Sequence, residues 1–253
     1  MARTRPRTLR AAAPQAQDPA TSMSGWREVV MFRRSHAPGG VATGSIANAE
    51  RALDGPGDLM EFSPALPILT ERLRLRAFTL ADVEAVFDYR RREDVTQYLI
   101  DPPMNRQRCA EIVSARIGQS GLAAEGDKIF LAVEHRSDAA LLGEVTLILR
   151  DLQARQGEIG YILHPRYHGR GYATEAAEVL LELAFDGAGL HRVHARCDTR
   201  NVASYGVMER LGMRREAHFR EHALFKGAWH EEYFYALLEQ EWRALKRPAA
   251  GAP

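Results

Sequence analysis

No stretch of 18 consecutive apolar residues occurs in this 253-residue chain, so it holds no segment that could cross a bilayer as a helix. Cysteine is almost as scarce. Cys109 and Cys197 are the only two, and neither has neighbours spaced for a metal site or redox pair, so both read as ordinary buried thiols. With no apolar secretory leader either, a reducing cytoplasm is the expected compartment. An excess of one charge is also missing. Lys and Arg number 34 against 33 Asp and Glu, and a net charge of +1 makes neither nucleic acid nor a membrane surface the expected partner. Two phosphate motifs are absent as well: there is no Gly-x-x-x-x-Gly-Lys-Ser/Thr and no Gly-x-Gly-x-x-Gly.

At 45% hydrophobic and 26% charged, the chain can bury one sizeable core. Residues 1–62 are rich in Ala, Pro, Gly, Ser and Arg without a period of 2 or 3.6, and are expected to be a disordered extension. Val29-Val30-Met31-Phe32 is the one piece there fit to dock. The Arg-rich start leaves an organelle transit peptide open, and Met23, Met31 and Met60 leave the natural start open. The domain is expected over 66–246, with 247–253 a flexible tail.

Leu73, Leu75 and Ala77 alternate with Arg72, Arg74 and Arg76, which predicts a half-buried outer strand whose arginines form its wet face. Thr79 with Asp82 three residues on predicts a helix start, its buried face marked by Leu80, Val83, Val86 and Phe87. A second helix follows Asn105, with Cys109, Ile112 and Val113 inward. Residues 128–134 and 141–149 read as a hairpin, and 158–163 as a further strand ended by His164-Pro165.

From Thr174 the spacing of Ala176, Val179, Leu180, Leu183 and Ala184 predicts a helix running to Gly187 or Gly189. Leu190–Cys197 is the next strand, and a helical crossover makes it parallel to the strand before the helix. Asn201 caps a helix that Gly212 closes, and residues 213–225 and 229–238 form a last hairpin before a short helix. The sum is a mixed, mostly antiparallel sheet of about seven strands with helices on both faces and one central βαβ unit, within α+β or α/β by class.

The strand-to-helix joint carries the functional signal. Gly169 and Gly171 permit positive φ and close ligand approach, the helix start leaves backbone N–H donors at the positive end of its dipole, and Arg166 and Arg170 add mobile charge. The string Arg166-x-x-Gly169-x-Gly171-Tyr172-Ala173-Thr174-Glu175-Ala176 resembles the acetyl-CoA-binding motif of the GCN5-related N-acetyltransferases (GNAT), in particular the RimJ/RimL-type ribosomal-protein subgroup. Asn201-x-x-Ser204-x-x-Val207-Met208-Glu209-x-x-Gly212-Met213 looks like that family's second signature. The order of elements is similar too.

The resemblance implies acetyl transfer from acetyl-CoA to a primary amine, a protein N-terminus or a small molecule, by direct attack in a ternary complex without a metal. It places the pyrophosphate on the loop from Arg166 through His168, Gly169, Arg170, Gly171, Tyr172 and Ala173 to Thr174. It runs the pantetheine arm beside Tyr161, Ile162 and Leu163, and brings Asn201 to the cosubstrate. Relatives use a tyrosine acid where this chain has Met208, and the subgroup points to Ser204 instead. Glu158 is the expected base, with His164 and His168 read as structural, and Glu221, His222, Trp229, His230, Glu231 and Glu232 placed around the acceptor. A homodimer stays open. The rival class is a non-catalytic acyl-CoA-binding or regulatory module, for which Met208 is the best support.

Overall fold

The computed structural model describes residues 61–246. The expectations for residues 1–60, Val29–Phe32 and the tail lie outside the described residues, but the extension's expected end at 62 comes too late, because Phe62 pairs with Leu122 and packs against the core. One eight-stranded sheet runs in the order β1-β2-β3-β4-β5-β6-β8-β7, with β1 Ile68–Leu69, β2 Leu73–Arg76, β3 Lys128–His135, β4 Leu141–Asp151, β5 Gln156–Leu163, β6 Arg192–Asp198, β7 Arg214–Phe225 and β8 Ala228–Leu238. The expected count of about seven rises to eight because two residues, Ile68 and Leu69, pair with Leu75 and Arg74. Every pairing is antiparallel except β5 with β6. β8 inserts between β6 and β7, so the last hairpin meets the sheet by its second strand.

The helices are α1 Val83–Arg90, α2 Glu93–Thr96, α3 Arg106–Arg116, α4 Tyr172–Glu182, α5 Val202–Arg210 and α6 Glu239–Lys246. Because strand side chains alternate between faces, the sheet divides the core in two. On one face Val83, Val86 and Tyr89 of α1 and Cys109, Ile112 and Val113 of α3 pack with Phe130 and Ala132 of β3. On the other, Ala176, Leu180 and Leu181 of α4 and Val207 and Met208 of α5 pack over Leu131, Leu147 and Ile159. Each fully buried leucine contributes about 1.5–3 kcal/mol, which is what holds both layers to the sheet.

Three local readings need correcting. Leu80, expected inward, is 65% exposed, because a 3-10 turn at Leu80–Asp82 precedes α1 and points it outward while Asp82 turns in. The strand ends at Arg76, so Ala77 falls outside it and is exposed. The arginine stripe is not simply wet. Arg76 pairs with both Asp82 and Glu134, Arg74 with Glu134, and Arg72 with Glu175. The helix expected after Asn105 is present, and Asn105 caps it, its side chain accepting from Arg108 N at 2.8 Å.

Beneath α1 and α3 lies a buried ionic cluster. Glu144 of β4, 3% exposed, accepts from Tyr89 Oη at 2.7 Å and pairs with both Arg90 and Arg116. Burial alone would raise its carboxyl, but the two guanidinium charges and the hydrogen bonds hold it down at about 2.

Candidate active site

β5 stops at Leu163 and a tight 3-10 turn, Pro165–Tyr167, leads into the glycine loop. Two histidines build this turn. His164 Nδ1 accepts from Arg166 N at 3.1 Å while its Nε2 lies 3.1 Å from Asp88, and His168 Nε2 lies 2.9 Å from the Leu163 carbonyl, which leaves it to act as donor there. Both rings are therefore engaged in shaping the loop. Gly169 and Gly171 follow at φ 73° and 80°, the left-handed region that a Cβ disfavours. Gly171 is the N-cap of α4, and the N–H groups of Tyr172, Ala173 and Thr174 in its first turn have no intrahelical acceptor. Arg166 and Arg170 are exposed beside them.

A residue outside the motif braces this loop. Arg72 donates from Nε to Glu175 at 2.7 Å and from Nη1 to the Arg170 carbonyl at 2.9 Å, and its guanidinium lies 4.6 Å from the centre of the Tyr172 ring. Glu175 also accepts from Thr70 Oγ1 at 2.5 Å and Arg72 N at 3.0 Å. The loop is thus tied to the first strands of the domain, about 100 residues away in sequence.

Next to the loop, the two parallel strands separate. β5 and β6 pair at Gln156 with Arg192, Gly157 with Val193 and Glu158 with His194, and the register ends there although both strands continue. From Ile159 to Leu163 the β6-facing edge of β5 therefore borders a wedge whose wide end opens at the glycine loop. Backbone groups along such an edge can hold an extended ligand as a strand would be held. On the other side of β5, Gly143 allows β4 to come close: a Cβ there would stand 2.7 Å from Leu163 Cα.

One wall of the wedge is α5. Asn201 caps it, accepting from Ser204 N at 3.1 Å, and the Tyr161 hydroxyl donates to the Ser204 carbonyl at 2.8 Å and lies 3.2 Å from Ser204 Oγ. Burial pushes the Tyr161 hydroxyl up, and pushes the nearby Cys197 thiol up to about 11, so both stay protonated at neutral pH. Met208, one turn along from Ser204, is buried at 1% exposure and packs in the core.

The opposite face of the sheet at this level is charged. Glu158 pairs with Arg150 at 2.6 Å, His194 at 3.3 Å and Arg196 at 3.6 Å. Burial works to raise its carboxyl, yet the His194 hydrogen bond and the Arg196 and Arg150 charges win and hold it down at about 2. A carboxylate so stabilised accepts a proton poorly. Farther along β6, Asp198 lies 2.7 Å from Arg200 and 2.8 Å from His230 Nδ1. In the last hairpin Glu232 stands 3.5 Å from His222, Glu231 2.6 Å from His218, and Trp229 is 59% exposed. Among the described residues no cluster of His, Cys, Asp and Glu has the arrangement of a metal site.

This geometry has relatives. Residues 72–214 match the profile of the acetyltransferase (GNAT) domain, more than half the chain. The protein belongs to the GNAT family. An uncharacterized N-acetyltransferase of Bacillus subtilis, YnaD, is 34% identical over 175 residues, 69% of this chain and 98% of its own. A GNAT-family acetyltransferase of Bacillus anthracis has a crystal structure that superposes with a TM-score of 0.63 at 33% identity, over 70% of this chain and all of that one. The [ribosomal protein uS5]-alanine N-acetyltransferase of Escherichia coli is 25% identical over 84 residues, 33% of this chain and 43% of its own.

Set in a GNAT fold, the residues singled out from sequence fall into two groups. Arg166 to Thr174, the backbone edge of Tyr161 to Leu163, Asn201 and Ser204 border the wedge, while Glu158 faces away from Tyr161 on the other surface of β5 and Glu221, His222 and Trp229 to Glu232 lie apart on the last hairpin. Three partners escaped the sequence reading: Arg72, which looked like one tooth of a solvated stripe, Gly143, and His194. Only Gly143, a glycine inside a strand pattern, carried a local cue.

Proposed function

We propose that this GNAT protein transfers an acetyl group from acetyl-CoA to a primary amine by direct attack in a ternary complex, with residues 66–246 as the catalytic unit. The parting of β5 from β6 after three paired residues is the observation that carries it, because a sheet leaves strand edges open in its interior only where something else pairs with them. In this reading the N–H groups of Gly169 to Thr174, with Arg166 and Arg170, hold the pyrophosphate, and the edge from Tyr161 to Leu163 holds the pantetheine arm. Asn201 fixes the start of α5 against it.

The amine nitrogen attacks the thioester carbon, the C–N bond forms and the C–S bond breaks. Ser204 gives its hydroxyl proton to the departing thiolate, with Tyr161 Oη, 3.2 Å away, orienting it. Glu158 keeps a negative charge on the side from which an ammonium approaches. The partial likeness to the E. coli uS5-alanine enzyme supports the RimJ/RimL-type reading and a protein N-terminus as acceptor. Two free buried thiols suit a reducing compartment such as the cytoplasm.

Calorimetric titration with acetyl-CoA, followed in the same sample by thiol release against N-terminal peptides, polyamines and amino sugars, tests the reading. Binding with release for one amine class establishes reaction and acceptor together. Binding without release from any amine would install the non-catalytic acyl-CoA module, consistent with Met208 in place of a tyrosine. No binding would remove the wedge from consideration.

A further inference from the structure

Buried side-chain polar atoms without a hydrogen-bond partner are costly and call for an explanation. Among the described residues they include Arg90 Nε and Arg116 Nε, whose guanidinium groups are otherwise held by Glu144, and His194 Nδ1 and Glu232 Oε2 on the charged face of β6 and β8. His194 is the one without a ready account. It is 9% exposed, its ring stacks on Phe234 at 4.7 Å and 18°, and its Nε2 lies 3.3 Å from Glu158 Oε2. A carboxylate can only accept, so the neutral imidazole carries its proton on Nε2 and leaves the Nδ1 lone pair bare.

The position matters as much as the tautomer. Glu158 and His194 form the last paired rung of β5 and β6, so the two side chains stand at the vertex of the wedge. Since side chains alternate along β5, they lie on the face opposite Tyr161 and Ser204. A thioester in the wedge would have Ser204 on one face of the sheet and His194 on the other. Proton donor and proton acceptor would then not compete for one another.

We infer that His194, oriented by Glu158, takes the proton from the acceptor amine, an inference that rests on the acetyltransferase reading above. The ammonium gives one proton to the buried His194 Nδ1 across one water, and the freed amine attacks the thioester carbon. The C–S bond breaks, Ser204 protonates the thiolate, and the adduct nitrogen releases its second proton to Ser204. Glu158 is a positioning residue: held down by Arg150 and Arg196, it stays ionised and keeps the imidazole proton on Nε2.

His194→Ala should lower kcat about 100-fold, the low end of what a positioned base contributes, with acetyl-CoA affinity by calorimetry changed less than twofold. The acid limb of the kcat/KM profile should vanish, and added imidazole should restore part of the turnover. Glu158→Gln should keep the limb but move it to lower pH, because losing the carboxylate disfavours the imidazolium. Other charges near His194 act on that limb too: Arg192 and Arg196 on its own strand, Arg150 on β4, Glu232 on β8, and His222 and Glu216 on β7. They are the same in the wild type and the His194 variants. Should His194→Ala fail to fold, His194→Gln keeps the bulk and removes the base.

An acid limb and turnover surviving in the folded variant would overturn the assignment while leaving the acetyltransferase reading intact. Absence of transfer by the wild-type protein to any amine would overturn both.

Discussion

Glu144 offers the sharpest test of how the α1 and α3 layer is held on the sheet. Replacing it by Ala removes the carboxylate that Tyr89, Arg90 and Arg116 share and leaves two guanidinium groups, 5% and 7% exposed, without their counter-charge. Breaking a buried pair in this way costs about 3–5 kcal/mol, because the stranded charge loses its partner but not its burial. Against a domain stability of about 5–15 kcal/mol this is a large fraction. At roughly 2–4 °C per kcal/mol for a domain of this size, the melting temperature should fall by about 10 °C. Thermal and urea unfolding read the change directly. Glu144 is the β4 partner of Ile162, but its carboxylate is engaged under α1 and α3 and not at the β6-facing edge of β5, so acetyl-CoA affinity measured well below the melting point should stay within twofold. A loss under 1 kcal/mol would refute the reasoning, since it would mean that water reaches Arg90 and Arg116. Replacing Glu144, Arg90 and Arg116 together by apolar residues of similar volume should recover most of the stability, as the desolvation of all three charges disappears with them.

Gly171→Val forces a β-branched residue to φ 80° and sets its Cβ 3.4 Å from the Arg72 guanidinium, so acetyl-CoA affinity should drop at least about tenfold by calorimetry, and an unchanged Kd would remove the loop from the site. Ser204→Ala should lower turnover by about 100-fold with little change in acetyl-CoA affinity, and full activity in thiol release would reject the proton-donor role. Acid should destabilise the fold within a defined window. The carboxyls of Glu144, Glu158 and Asp198 are all held at about 2, below their ordinary 4.5 or 3.8, so the stability they contribute is complete above about 4.5 and is lost as pH falls toward 2. Urea midpoints should be flat from pH 7 to 5 and decline below that; a steady fall between pH 7 and 5 would point to histidines instead.

Much of this protein is written locally. The 3.6-residue spacing after Thr174, the Asn105 and Asn201 caps, the positive-φ glycines at 169, 171 and 212, and the alternation at Leu73 and Leu75 each state an element within a few residues, and those elements formed where expected. The glycine loop and the parallel β5-α4-β6 crossover were legible for the same reason: helix starts and crossover handedness depend on near neighbours and chain chirality.

What the sequence left unstated involves partners far apart along the chain. Nothing local says that β5 and β6 part after Glu158 and His194, that β8 rather than β7 joins β6, or that Arg72 reaches the loop beside Glu175. Glu158 shows the difference most plainly. Its place on a strand was evident, but whether it is a base or a clamped anion depends on Arg150, His194 and Arg196, and their charges act through space at 2.6 to 3.6 Å, not through sequence. Residue type and spacing therefore determine which groups exist and which elements carry them. Only packing decides which of them meet, and in a low-dielectric interior that meeting sets the charge each one carries.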